Sequence, residues 1–112
     1  MAFDQVLAER IREVLAEVGP VREIKMFGGL GVMYRGHMIC GLMRGDGLIL
    51  RLGPEGTAAV IASGQARPFM PMKGKAAAGM AVIDEAAAMD DEPLRDWLMR
   101  AAAFVETLPA KE

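Results

Sequence analysis

The stretch KMFGGLGVMYRGHMICGLMRGDGLILRL, residues 25–52, decides the fold. A strand through Lys25, Met26 and Phe27 enters a corner at Gly28-Gly29-Leu30-Gly31, and Val32-Met33-Tyr34 leads out of it. Arg35-Gly36 suits a tight hairpin turn, because glycine takes positive φ without steric cost. The run 38–43 reads as the return strand, Arg44-Gly45-Asp46-Gly47 as the next turn, and 48–52 as a third run. Short strands joined by tight turns predict an antiparallel meander. Side chains alternate across a strand, so Met38, Cys40 and Leu42 share one face, as do Leu48, Leu50 and Leu52. Gly41, Ile49 and Arg51 lie on the other. Arg51 interrupts an apolar run, so that second face is expected to be partly open to solvent or to a partner.

Helices flank this core. Phe3, Val6, Leu7, Ile11, Val14, Leu15 and Val18 recur at three- and four-residue steps with charged residues between them, which predicts an amphipathic helix over 4–18. Asp4 is placed to cap its start, and Gly19-Pro20 stops it. Gly53-Pro54-Glu55 opens a second helix, expected to run to about Ser63 and end at Gly64. Residues 65–79 hold prolines, glycines and basic residues and read as loop with one short edge strand near Phe69. A strand over 80–83 follows, then one helical turn over 84–89. Asp90-Asp91-Glu92-Pro93 is a capping sequence for a last helix, whose apolar face carries Leu94, Trp97, Leu98, Ala101, Phe104, Val105 and Leu108. Pro109 ends it. Helix, three or four strands, helix, one or two strands, helix describes an α+β domain, an antiparallel sheet with helices packed on it.

The bulk numbers narrow the function classes. A chain of 112 residues with 53% apolar and 25% charged residues makes one globular domain. Its net charge of −2 disfavours direct nucleic-acid binding, which draws on a basic excess. A single cysteine, Cys40, allows no intrachain disulfide. The first residues do not read as a signal peptide, and no apolar run reaches the roughly 20 residues that span a bilayer. The expected address is the cytoplasm.

The candidate chemistries each meet a plainer explanation. Gly28-Gly29-Leu30-Gly31 lacks the helix that a phosphate loop needs directly after it, and reads as a bulge or corner. His37 and Cys40, three residues apart, are two metal donors where four are needed. The ten methionines are flexible core filler. Cys40 shares a face with Met38 and Leu42 and reads as an inert buried thiol. Asp84, Glu85, Asp90, Asp91 and Glu92 lack calcium-loop spacing and suit helix starts. Arg67, Lys73 and Lys75 line a loop that suits an anion or an acidic partner, and a solvated loop accounts for them equally well. With one serine and one histidine, no triad is available.

The combination Lys25-Met26-Phe27-Gly28-Gly29-Leu30-Gly31 with Leu50-Arg51-Leu52-Gly53-Pro54-Glu55 resembles the N-terminal domain of the TfoX/Sxy family, bacterial proteins associated with regulation of competence. Gly36, Cys40-Gly41, Arg67-Pro68-Phe69, Met72-Lys73-Gly74 and the closing segment LMRAAAFVETLP extend the resemblance over nearly the whole chain. The resemblance implies a two-layer domain of order α-β-β-β-α-β-β-α, related to secretion-chaperone folds, standing here without the C-terminal domain of full-length regulators. It implies no catalytic residues and no cofactor. The reading that follows is a cytoplasmic, non-enzymatic protein-interaction module, a transcriptional co-regulator acting through another protein. The alternative is a small-molecule or anion-binding domain. The interaction candidates are Lys25, Phe27, Gly28, Gly29, Arg51, Arg67 and Lys73. No direct nucleic acid and no membrane are expected, and uncovered sheet edges leave a homodimer open.

Overall fold

Alternating and helical periodicities take their places around one sheet in the computed structural model, which describes residues 4–26, 29–43, 47–70, 74–75, 77–84, 86 and 89–110. The order is α1 (Gln5–Leu15), β1 (Val21–Met26), β2 (Gly29–Tyr34), β3 (His37–Leu42), β4 (Leu48–Arg51), α2 (Gly53–Ala62), β5 (Arg67–Pro68), β6 (Met80–Ile83) and α3 (Asp91–Glu106). The strands form one six-stranded sheet in the order β1-β2-β3-β4-β6-β5, antiparallel at every pairing. This is the expected α+β domain, with four strands before α2 where the resemblance implied three.

The additional strand comes from the glycine corner. Gly29, Leu30 and Gly31 are not part of a bend; they open β2, pairing with Met26, Lys25 and Ile24. Gly29 is required there because a Cβ would stand 2.0 Å from the Leu42 carbonyl oxygen. At the next hairpin Arg35 (φ 56°) and Gly36 (φ 83°) both take positive φ, the mark of the two-residue turn whose twist matches its strands.

The helices share one face of the sheet. Leu7, Ile11 and Leu15 of α1 and Leu94, Leu98 and Val105 of α3 bury against Leu30, Val32, Cys40, Leu42, Leu48, Leu50 and Ile83. Asp4 caps α1 as expected, its Oδ1 accepting from the Leu7 N–H at 2.9 Å. The helix stops at Leu15, earlier than the stripe predicted, and Val6 is 71% exposed, outside the core to which the stripe had assigned it. In α3, Asp90 does not cap with its side chain; its carbonyl instead accepts from the Leu94 N–H at 3.2 Å. Gly64 (φ 80°) terminates α2 where a left-handed residue was expected. The helical turn expected over 84–89 falls largely outside the described residues.

The tip of the β2–β3 hairpin holds the end of α3. The Tyr34 hydroxyl donates to Glu106 Oε2 at 2.8 Å, and Arg35 Nη1 donates to the Glu106 carbonyl at 2.9 Å. His37 Nε2 donates to the Pro109 carbonyl at 2.7 Å, which gives the chain's one histidine a structural role.

Candidate functional surface

One local irregularity in β3 sets what the helix-free face presents. Tyr34 pairs with His37 and Met33 with Met38, but Val32 pairs with Cys40, so Ile39 is an extra residue. Such a bulge shifts the alternation by one. Ile39 and Cys40 are consequently both buried on the helix side, and Met38 turns to the opposite face. The simple alternation that grouped Met38 with Cys40 and Leu42 fails at this point.

On the helix-free face, Ile49, Phe69 and Val82 form a second buried cluster with Met38, Met43, Ala77 and Met80 around it. The segment after β5 makes this cover, with Phe69 N–H donating to the Met80 carbonyl and Ala77 N–H to the Phe69 carbonyl. This face is closed over β4 and β6, where Ile49 and Val82 are buried. It opens toward the other end of the sheet, where Ile24 is 39% exposed and Met33 half-buried. A row of directly paired residues, Ile24, Gly31, Gly41 and Ile49, crosses from the open end to the closed one. Two residues without side chains make the middle of that row shallow.

Among the described residues, the basic and glycine positions picked out from the sequence, Lys25, Gly29, Arg51 and Arg67, do not come together. Lys25 is exposed on β1 opposite Leu30, which faces the helices. Arg51 lies on β4 with the parity of Ile49, on the helix-free side. Their strands are three spacings apart, about 14 Å across the sheet, and Arg51 lies three residues further along than the position that faces Lys25. Arg51 is half-buried, and its Nε donates to the Met38 carbonyl at 2.7 Å. Burial lowers its pKa from the usual guanidinium value. Arg67 stands on β5 at the far edge, where its Nε donates to both oxygens of Asp84 at 2.8 and 2.9 Å. Gly29 is buried and serves the close backbone approach already described. Phe27, Gly28 and Lys73 lie outside the described residues.

Among the described residues, two clefts open to the surface can be placed. One of about 540 Å³ is lined by 64–67, 82–84 and Met89, and its Arg67 is neutralised by Asp84. The other, of about 410 Å³, runs between α1 and α3, where Arg10 meets Asp91 and Arg95 meets Glu17. Arg51 lines neither. Cys40 is 1% exposed, and burial pushes its thiol up to about 12, so it stays protonated at neutral pH. Among the described residues no three His, Cys, Asp or Glu side chains converge as a metal-holding group. No helix among them is long and apolar enough to cross a membrane.

Ile24 and Met33, the open end of the helix-free face, were not singled out from the sequence. The available signal was their parity: both alternate with residues that pair into the helix-side core. The chain matches the family model described as the TfoX N-terminal domain over residues 13–105. Comparison with curated proteins and with solved structures returns no match.

Proposed function

Because this chain belongs to the TfoX N-terminal domain family, which is associated with competence regulation, we propose that it acts as a non-enzymatic protein-interaction module in the cytoplasm, a transcriptional co-regulator working through another protein. The observation that carries this reading is the half-open apolar face, where Ile24 is 39% exposed beside a half-buried Met33. Exposed apolar surface on a sheet face is characteristic of interaction sites, and methionine adapts its shape to a partner. The charge balance of 13 basic against 15 acidic residues favours a protein partner over direct contact with a nucleic acid.

The test compares what tagged wild-type protein and Met33→Lys retain from the native lysate, with Arg95→Ala as a control on the helix side. Circular dichroism first establishes that all three are folded. The expected result is an identified component of the transcription apparatus that wild type and Arg95→Ala retain and Met33→Lys loses. Retention of the same proteins by Met33→Lys, or of none by wild type, overturns the reading.

A further inference from the structure

The two edges of the sheet are unequal. β5 offers two residues, one of them Pro68, which has no N–H to donate. β1 is six residues long, and Arg22, Glu23, Ile24 and Lys25 are all exposed on it. A long strand at a sheet edge presents unpaired backbone groups to any strand that fits them.

Which groups point outward follows from the ladder. The Met43 N–H donates to the Gly47 carbonyl at 3.0 Å, so Met43 and Gly41 turn their backbone toward β4. Cys40 and Leu42 therefore bond β2 through Val32 and Leu30, and Gly29 and Gly31 bond β1 through Met26 and Ile24. By the same alternation the N–H and C=O of Glu23 and Lys25 point out of the sheet.

We propose that β1 pairs antiparallel with β1 of a second copy of this chain, in the register that sets Ile24 against Ile24 and each Glu23 against the other copy's Lys25. Three arguments select this occupant and this register. First, a two-fold axis perpendicular to the sheet pairs only residues of the same face, so the axis must pass beside a residue and not between two. Second, centring on Arg22, Glu23 or Lys25 would set two like charges directly opposite each other, which is destabilising. Centring on Ile24 pairs opposite charges twice and buries two isoleucines. Third, with one adhesive edge per copy the assembly closes at two, whereas two such edges would propagate into a filament.

The geometry around Glu23 suits the pairing. Arg12 donates to both its oxygens, at 2.6 and 2.9 Å, and also to Glu9 at 2.5 Å. The group Glu9–Arg12–Glu23 therefore carries one net negative charge, and the Lys25 facing it across the axis supplies the balancing positive one. The outward N–H and C=O of residues 23 and 25 meet as hydrogen-bonded pairs. The two Ile24 residues meet as a non-hydrogen-bonded pair, with Cα atoms about 4.5 Å apart. The pairing uses the strand edge where the partner reading uses the sheet face, the two sharing Ile24, and mass and cross-linking test the first while lysate retention tests the second.

The experiment measures mass by sedimentation velocity over a range of protein concentrations, and disulfide formation in an Ile24→Cys variant. A Cα separation of about 4.5 Å lies within disulfide range. Cys40, 1% exposed, cannot compete for the bond. Wild type is expected to be a concentration-dependent dimer, and Ile24→Cys to form a covalent one under mild oxidation. Lys25→Glu should weaken association about tenfold or more, and the double exchange Glu23→Lys with Lys25→Glu should restore it. A monomer at every concentration overturns the proposal. So does a dimer that neither responds to Lys25→Glu nor cross-links through residue 24.

Discussion

The two faces of the sheet come from the same strands but bury their side chains by different means. On one face α1 and α3 seal Leu48 and Leu50 of β4, and these and Leu98 of α3 are fully buried. On the other, Phe69 and Ala77 from the segment after β5 pack over Ile49 and Val82, while Ile24 on β1 is 39% exposed. Helices carry their own backbone hydrogen bonds and so can lay a continuous apolar stripe on a sheet. A short loop covers only as far as its few residues reach. Stability is therefore expected to reside on the helix side, leaving the other face free to recognise something else.

The largest effect should expose that asymmetry directly. Leu98→Ala deletes a fully buried side chain between α3 and the sheet and should cost about 2–5 kcal/mol in urea unfolding. Met33→Ala, on the half-open face, should cost about 1 kcal/mol or less. Comparable losses at the two sites would mean that the open face is packed as firmly as the other. The next test asks whether the open face is rigid anywhere. Gly29→Ala drives a Cβ toward the Leu42 carbonyl and should cost about 1–3 kcal/mol or more. Gly64→Ala also replaces a glycine, but nothing lies within 4 Å of its Cβ position, so only the left-handed backbone is penalised, by about 1 kcal/mol. The reverse order of these two losses would place the constraint in backbone angle and not in close approach.

Cys40 reports on the sealed face through its chemistry. Burial raises its thiol to about 12, above the unfolded value near 9, so the native state holds the proton more tightly. The resulting stability is fully present below about pH 9 and is lost as pH rises from there toward 12. Maleimide should accordingly fail to label the folded protein at neutral pH and label it promptly in urea. Ready labelling without denaturant would show that the seal over β3 opens.

The helix-covered face was readable in advance, because α1, α2, α3 and the meander each announce themselves through period, cap and turn residues. The Arg35-Gly36 turn is an example, marked by a glycine that takes positive φ without steric cost. The helix-free face was less readable. The bulge at Ile39 has no local marker, being decided by how β2 and β3 align, and it moves Met38 across the sheet. The same holds for the candidate site: Lys25, Arg51 and Arg67 look adjacent as a basic set, yet the strand order places them on different strands and edges. Pairing order is a long-range property, and side-chain chemistry along the chain does not encode it visibly.

Arg51 gives the smallest expected effect and the sharpest division between the faces. Its guanidinium is half-buried, with a single hydrogen bond to the Met38 carbonyl among its described contacts, and burial already disfavours its charge. A charge held this way costs desolvation that one neutral acceptor offsets only in part. Arg51→Met keeps the aliphatic stem and removes the charge, so its stability should stay within about 1 kcal/mol of wild type. The Met38 carbonyl loses a donor, but β3 and β4 keep their pairing through 40–42 and 48–50. If stability holds while partner retention falls, Arg51 belongs to the recognition surface and its burial is tolerated for that purpose. A loss beyond about 2 kcal/mol would instead make the guanidinium a structural clasp between β3 and β4, and the half-open face would be narrowed to Ile24 and Met33.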